Sequence, residues 1–92
     1  MNIGHALKLC RSAKNLSLEE LAGYAGLSQS YLSMIETNKR DPTLATIEKL
    51  ATALDIPMPI LLFLAADKDE LSGLDAETAQ RLSTAAIEVM RA

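Results

Sequence analysis
The sequence predicts an all-α fold, and three observations carry that reading. Apolar residues recur at helical spacing in a series of short segments. Residues that cap helices stand ahead of several of those segments. Hairpin signals are scarce: the 92-residue chain has 4 glycines, 3 prolines, no tryptophan and only 3% aromatic residues, which argues against an all-β fold.

Ile3, Leu7 and Cys10 fall at i, i+4 and i+7, one face of a helix over roughly residues 2–14. Lys8, Arg11 and Lys14 run along another face, and Asn15 ends the helix. Ser17-Leu18-Glu19-Glu20 is a capping box that opens a second helix, 18–25, with Leu21, Ala22 and Ala25 inward. Gly26 follows, where a left-handed residue is least strained. Ser28 caps a third helix, 29–36, with Leu32 and Ile35 inward.

Residues 37–43 read as a loop, in which Pro42 forces Asp41 to be extended. Thr43 caps a fourth helix, 44–54, with Leu44, Ile47, Leu50, Ala51 and Leu54 on one face. Pro57 and Pro59 mark a break and a new start. The fifth helix, 59–66, is apolar on every side and wants partners all round. Residues 67–73 are a polar connection. Asp75 caps a sixth helix, 76–91, with Ala79, Leu82, Ala86, Val89 and Met90 in phase. This divides the chain into a block over 1–66 and an acidic connection plus terminal helix over 67–92.

Composition excludes several functions. Apolar residues are 49% and charged residues 23%, which argues against disorder. One cysteine and one histidine cannot assemble a metal cluster or a convincing catalytic set, so neither an enzyme nor a cofactor is expected. Cys10 reads as a buried thiol rather than a redox sensor, and His5 as a surface residue. The longest apolar run, Ile56 to Ala66, is eleven residues with two prolines, against the ~20 a membrane span needs. There is no apolar leader segment, so a soluble cytoplasmic protein is expected. The net charge of −3 taken alone argues against nucleic acid. Its distribution does not. Residues 1–64 carry six basic and six acidic groups, whereas residues 65–92 carry three basic and six acidic ones, so all the excess acid lies at the C-terminal end.

The second and third helices form one constellation. Ala22 is small enough for a close crossing, Gly26 makes the turn, and Leu21, Leu32 and Ile35 fill the wedge. A helix-turn-helix needs this set because its second helix must stand out from the body. The residues Ser17-Leu18-Glu19-Glu20-Leu21-Ala22, Gly26 through Ser33, Ile35-Glu36, Asp41 through Ile47 and Ala51 through Ile56 resemble the lambda-repressor-like family of helix-turn-helix regulators, the Xre type. The likeness runs from about Ile3 to Leu62, two thirds of the chain. It implies a five-helix DNA-binding domain, here with an additional C-terminal helix, whose third helix enters the major groove of double-stranded DNA. It also implies a near-palindromic operator bound by a homodimer, usually for repression.

Carried over residue by residue, the resemblance places Gln29, Ser30, Ser33 and Met34 at base edges. It places Ser17, Ser28, Tyr31, Lys39, Arg40 and Thr43 at phosphates. Gln suits adenine, and a serine hydroxyl suits base or phosphate. Tyr31 has two readings, packing over the helix or reaching a phosphate, and Met34 is either a thymine-methyl contact or plain surface. Arg11 and Glu36 match a pair that ties the first helix to the third. The chain departs from the family pattern at Leu18, Ser30, Met34 and Asn38, where Gln, basic or Gln residues, and Gly are frequent. The recognition helix therefore carries no positive charge, and readout leans on Gln29, small hydroxyls, Met34 and DNA shape. Leu62 and Phe63 of the fifth helix and Leu82, Ala86, Val89 and Met90 of the sixth are the expected dimer element, and these stripes can close within one chain or across a two-fold axis. The alternative is a protein-binding or antitoxin-like module of the same fold, with little DNA binding and a protein partner on the acidic C-terminal third.

Overall fold
A computed structural model describes residues 1–91. Among them the chain forms α1 (Ile3–Ala13), α2 (Leu18–Ala25), α3 (Gln29–Glu36), α4 (Leu44–Leu54), α5 (Met58–Ala65), α6 (Lys68–Leu71) and α7 (Ala76–Arg91). Side-chain caps begin most of them. Asn2 Oδ1 accepts from the His5 N–H (3.0 Å) and Ser28 Oγ from the Tyr31 N–H (3.1 Å). Thr43 Oγ1 accepts from the Thr46 N–H (3.2 Å) and Asp75 Oδ1 from the Thr78 N–H (2.7 Å). Ser17 and Glu20 close a full capping box.

Four helices stop in the same way. Asn15, Gly26, Asn38 and Asp55 sit in the left-handed region with φ of 58°, 71°, 59° and 57°. In each case the next N–H returns to a carbonyl five residues back: Leu16 to Arg11 (3.1 Å), Leu27 to Ala22 (2.9 Å), Lys39 to Met34 (2.8 Å) and Ile56 to Ala51 (2.9 Å). These bonds satisfy helix-end carbonyls and turn the chain sharply. Asn and Asp tolerate that conformation better than other side chains, which is why three of the four stops need no glycine.

The block α1–α5 is built around α1, which packs against α3, α4 and α5, while α2 packs against α3 and α4. Leu7, Cys10, Leu21, Leu32, Ile35, Leu50, Leu54 and Leu61 are fully buried. Each buried leucine or isoleucine contributes about 1.5–3 kcal/mol relative to exposure. Burial pushes the Cys10 thiol pKa up, against a smaller opposing effect of Lys14, so the thiol stays protonated. Gly4 lies where α1 crosses the end of α3. A β-carbon there would stand 2.3 Å from the Ile35 carbonyl oxygen and 2.6 Å from Asn38 Oδ1, so only glycine fits.

Three expectations need correction. Leu44 is 67% exposed rather than on the inner face of α4, whose buried stripe starts one turn later at Ile47. Residues 67–73 are not a bare connection: Asp67 and Glu70 form a second capping box that supports the short helix α6. The fifth helix begins at Met58, with Pro57 as its cap residue and Pro59 in its first turn. The helix at 76–91 has the expected bounds and folds back onto α5 and α1 of its own chain.

Candidate nucleic-acid interface
The α2–α3 pair presents an outward edge made by α3. Leu32 and Ile35 anchor the inner face of that helix, and Glu36 is buried at its end. The 3.6-residue repeat then turns Gln29 and Ser30 fully outward and leaves Tyr31, Ser33 and Met34 half-buried. Leu18, Gln29, Ser30 and Ser33 line a shallow notch where the start of α2 meets α3. A larger depression between α2 and α4, lined by Tyr24, Gly26, Ala45 and Lys49 among others, includes none of the outward residues of α3.

Arg11 and Glu36 fix how α3 stands on the body. Arg11 Nε donates to Glu36 Oε2 (2.8 Å) and Nη2 to Oε1 (3.0 Å), a bidentate pair. Nη1 also donates to the Leu16 carbonyl (2.9 Å) in the α1–α2 turn. The side chains are 16% and 5% exposed, and the hydrogen bonds from Arg11 to Glu36 raise the arginine pKa further. One guanidinium thereby ties α1, the start of the helix-turn-helix and the end of α3 together.

The loop after α3 folds back over it. The N–H groups of Lys39 and Arg40 both donate to the Met34 carbonyl, at 2.8 and 3.2 Å. Asn38 Nδ2 donates to Asn2 Oδ1 (3.0 Å). The Arg40 guanidinium carbon stands 5.6 Å from the centroid of the Tyr31 ring. Lys39 and Arg40 are exposed, and neither makes an ion pair within 4.0 Å among the described residues. Both cations therefore lie beside α3 with their charge unspent.

The helix N-termini differ as anion sites. Ser28 and Thr43 cap α3 and α4, whose first turns hold no carboxylate, so their free N–H groups and dipoles face outward unopposed. Ser17 caps α2, whose first turn holds Glu19 and Glu20. The Glu20 carboxylate accepts from the Ser17 N–H (2.9 Å), and that bond, more than the one to the hydroxyl, keeps its pKa below the usual range. Two negative charges thus cover the α2 end.

The expected dimer residues divide between core and surface. Ala86 is 3% exposed, and Leu82 and Val89 pack against the core of the same chain. Leu62, equally half-buried, packs against that core as well, and Phe63 and Met90 remain half-exposed. The sequence alone does not reveal the Gly4 crossing, the Asn2–Asn38 bond or the Tyr31–Arg40 contact. Only Gly4 leaves a signal, a glycine inside a helical pattern.

An exposed polar helix held over a left-handed turn, with two cations free of ion pairs in the loop after it, is the architecture of a helix-turn-helix DNA-binding regulator. Comparison with known proteins agrees: the helix-turn-helix family model matches residues 7–61. The transcriptional regulator SinR of Bacillus licheniformis is 42% identical over 77 residues, spanning 82% of this chain and 68% of that protein. The restriction-modification controller protein C.AhdI of Aeromonas hydrophila superposes with a TM-score of 0.64 at 45% identity, covering 65% of this chain and 91% of the other. The complex of SinR with SinI matches with a TM-score of 0.63 at 37% identity, over 90% of this chain and 77% of that one. The chain belongs to the lambda-repressor-like, Xre-type helix-turn-helix family of DNA-binding transcriptional regulators.

Proposed function
We propose that this protein is a cytoplasmic repressor that binds a near-palindromic operator as a homodimer, with α3 in the major groove. The observation that carries the proposal is that Gln29 and Ser30 stand exposed on the first turn of α3 while the loop after α3 folds back on the helix and brings the Arg40 guanidinium to the ring of Tyr31 in that same turn. Gln29, Ser30, Ser33 and Met34 take the base edges. Lys39 and Arg40 take phosphates by charge, and Ser28 and Thr43 take them through helix N-termini. Tyr31 stands beside the Lys39-Arg40 loop, with its ring against the Arg40 guanidinium. Ser17 is the weakest phosphate candidate, because Glu19 and Glu20 repel the backbone there.

The two-fold contact falls on the half-exposed parts of α5 and α7, chiefly Leu62, Phe63 and Met90, with Leu82, Ala86 and Val89 holding α7 in place beneath it. A dimer is favoured because a single module buries only ~600–1,000 Å² against DNA and is correspondingly weak. A chain ending at Asp67 should sediment as a monomer, keep a folded helix-turn-helix and lose most operator affinity. A truncated chain that stays dimeric would place the contact outside α7.

A second reading rests on the exposed acids of the C-terminal third, Asp67, Asp69, Glu70, Asp75, Glu77 and Glu88, which suit a basic protein partner. Salt dependence separates the two. A dimer using two cations per protomer gives a log–log slope of roughly −3 to −4 on duplex DNA, from ~0.9 per phosphate neutralised. A slope near zero would favour the protein-binding module.

A further inference from the structure
We propose that Tyr31 is a positioning residue for DNA binding: the face of its ring holds the Arg40 guanidinium beside the first turn of α3, aimed at a backbone phosphate. The inference rests on the reading of Arg40 as a phosphate contact and adds how that contact is made. A loop arginine at full exposure has many rotamers, and ordering it on binding is costly. Here the loop leaves little freedom. Asn38 is left-handed and bonded to Asn2, and the Lys39 and Arg40 N–H groups are both committed to the Met34 carbonyl. The guanidinium then lies 5.6 Å from the centroid of the Tyr31 ring.

Tyr31 is itself held. Its N–H donates to Ser28 Oγ (3.1 Å), and its side chain packs against the core. The ring is therefore a fixed platform and the arginine a guest on it. A guanidinium stacked on an aromatic face keeps its N–H groups free at the rim, the geometry that a phosphate oxygen needs. No carboxylate lies within 4.0 Å of Arg40 among the described residues to compete. The hydroxyl of Tyr31 is dispensable in this account; the ring is not. The uncharged recognition helix makes the arrangement consequential: Arg11, which touches α3, is paired with Glu36, so the cations without an ion pair beside the helix come from a loop that must be held in place.

The test uses the full chain and a labelled duplex of arbitrary sequence, with affinity and salt slope measured for Tyr31→Phe, Tyr31→Leu, Arg40→Ala and the Tyr31→Leu/Arg40→Ala double variant. Tyr31→Phe should bind as the parent does. Tyr31→Leu should lose about three- to tenfold in affinity, the range of one cation–π contact, with a smaller salt slope. The double variant should be no worse than Arg40→Ala. Tyr24→Leu, at the other and exposed tyrosine, should change nothing. Proton NMR of the free parent protein gives a reading that does not depend on how Tyr31→Leu folds: the Arg40 side-chain methylenes should be shifted upfield by the ring and should stay so in Tyr31→Phe. Loss of affinity in Tyr31→Phe equal to that in Tyr31→Leu overturns the proposal in favour of a hydroxyl contact. Additive losses in the double variant, or unshifted Arg40 methylenes, also overturn it. An Arg40→Ala variant with unchanged slope removes the phosphate contact itself, whereas a lowered slope in Arg40→Ala alone, with none in Tyr31→Leu, leaves that contact standing and removes only the positioning role.

Discussion
The block α1–α5 and the C-terminal pair α6–α7 are built to different standards. In the block every helix buries two or more residues, and all eight of the largest fully buried side chains belong to it. The sixteen-residue α7 buries only Ala86, and α6 buries nothing. Hydrogen bonding divides in the same way. The block has a bidentate pair between α1 and α3 and a side-chain bridge from Asn38 to Asn2. The side-chain hydrogen bonds within α6 and α7 and at their caps are three or four residues apart, and their long-range polar tie is an exposed one, from the N-terminal ammonium to Glu70 (2.6 Å) and Asp67 (3.5 Å). The proposed reading helix, α3, stands on the densely packed part, where a small displacement would misplace every side chain it presents. The C-terminal pair is a lightly attached appendage, the kind of element that opens first and that can exchange one apolar partner for another.

Perturbations should respect that boundary, and the largest should come from Arg11. Arg11→Met strands the Glu36 carboxylate in the block and should cost about 3–5 kcal/mol in a denaturant melt, with Glu36→Met similar and the double variant recovering part of the loss. Small, independent effects would mean that the pair does not brace α3. Next come the leucines on either side of the boundary. Leu61→Ala in the block should cost ~2–5 kcal/mol, and the half-buried Leu82→Ala in α7 should cost distinctly less. Equal costs would erase the distinction.

Acid should sharpen it. Asp75 is held below the usual carboxylate range chiefly by the Thr78 N–H, and Asp67 chiefly by the Glu70 N–H. Carboxylates with depressed folded values contribute fully above their ordinary value, about 4, and the contribution is lost as pH falls through the folded values. Helices α6 and α7 bury little, so amide protection factors in 67–91, corrected for the intrinsic slowing of exchange in acid, should fall with pH before those of the block do. The smallest effect is local to the block. Asp55→Gly relieves a left-handed aspartate and should stabilise the protein by up to ~1 kcal/mol, read as a small rise in melting temperature.

Sequence legibility follows the same boundary. The caps at Ser17, Ser28, Thr43 and Asp75 and the turn at Gly26 are local chemistry, so short windows reveal them. The inner faces of α2 and α3 are strictly periodic and equally plain. Leu44 misleads because periodicity says which face a residue takes and not how far a neighbouring helix extends to cover it. Asp55 and Asn38 give no clear stop signal because left-handed Asn or Asp looks like any polar loop residue. The Asn2–Asn38 bond spans 36 residues and Arg40 reaches back to Tyr31 through a loop, so both depend on tertiary placement. Helix α7 shows a clear apolar stripe, yet one stripe fits its own chain or a second copy equally well.

The most direct measurement is selection of bound sites from a random DNA library with the parent protein, Gln29→Ala and Lys39→Ala, followed by salt titrations on the preferred site. Gln29→Ala should relax the preference at one position and cost about 1–3 kcal/mol on the parent site. Lys39→Ala should weaken all sequences alike and reduce the salt slope by about one unit for each phosphate no longer neutralised, without altering the preferred site. A changed preference in Lys39→Ala together with an unchanged one in Gln29→Ala would contradict the placement of α3 as the reading helix.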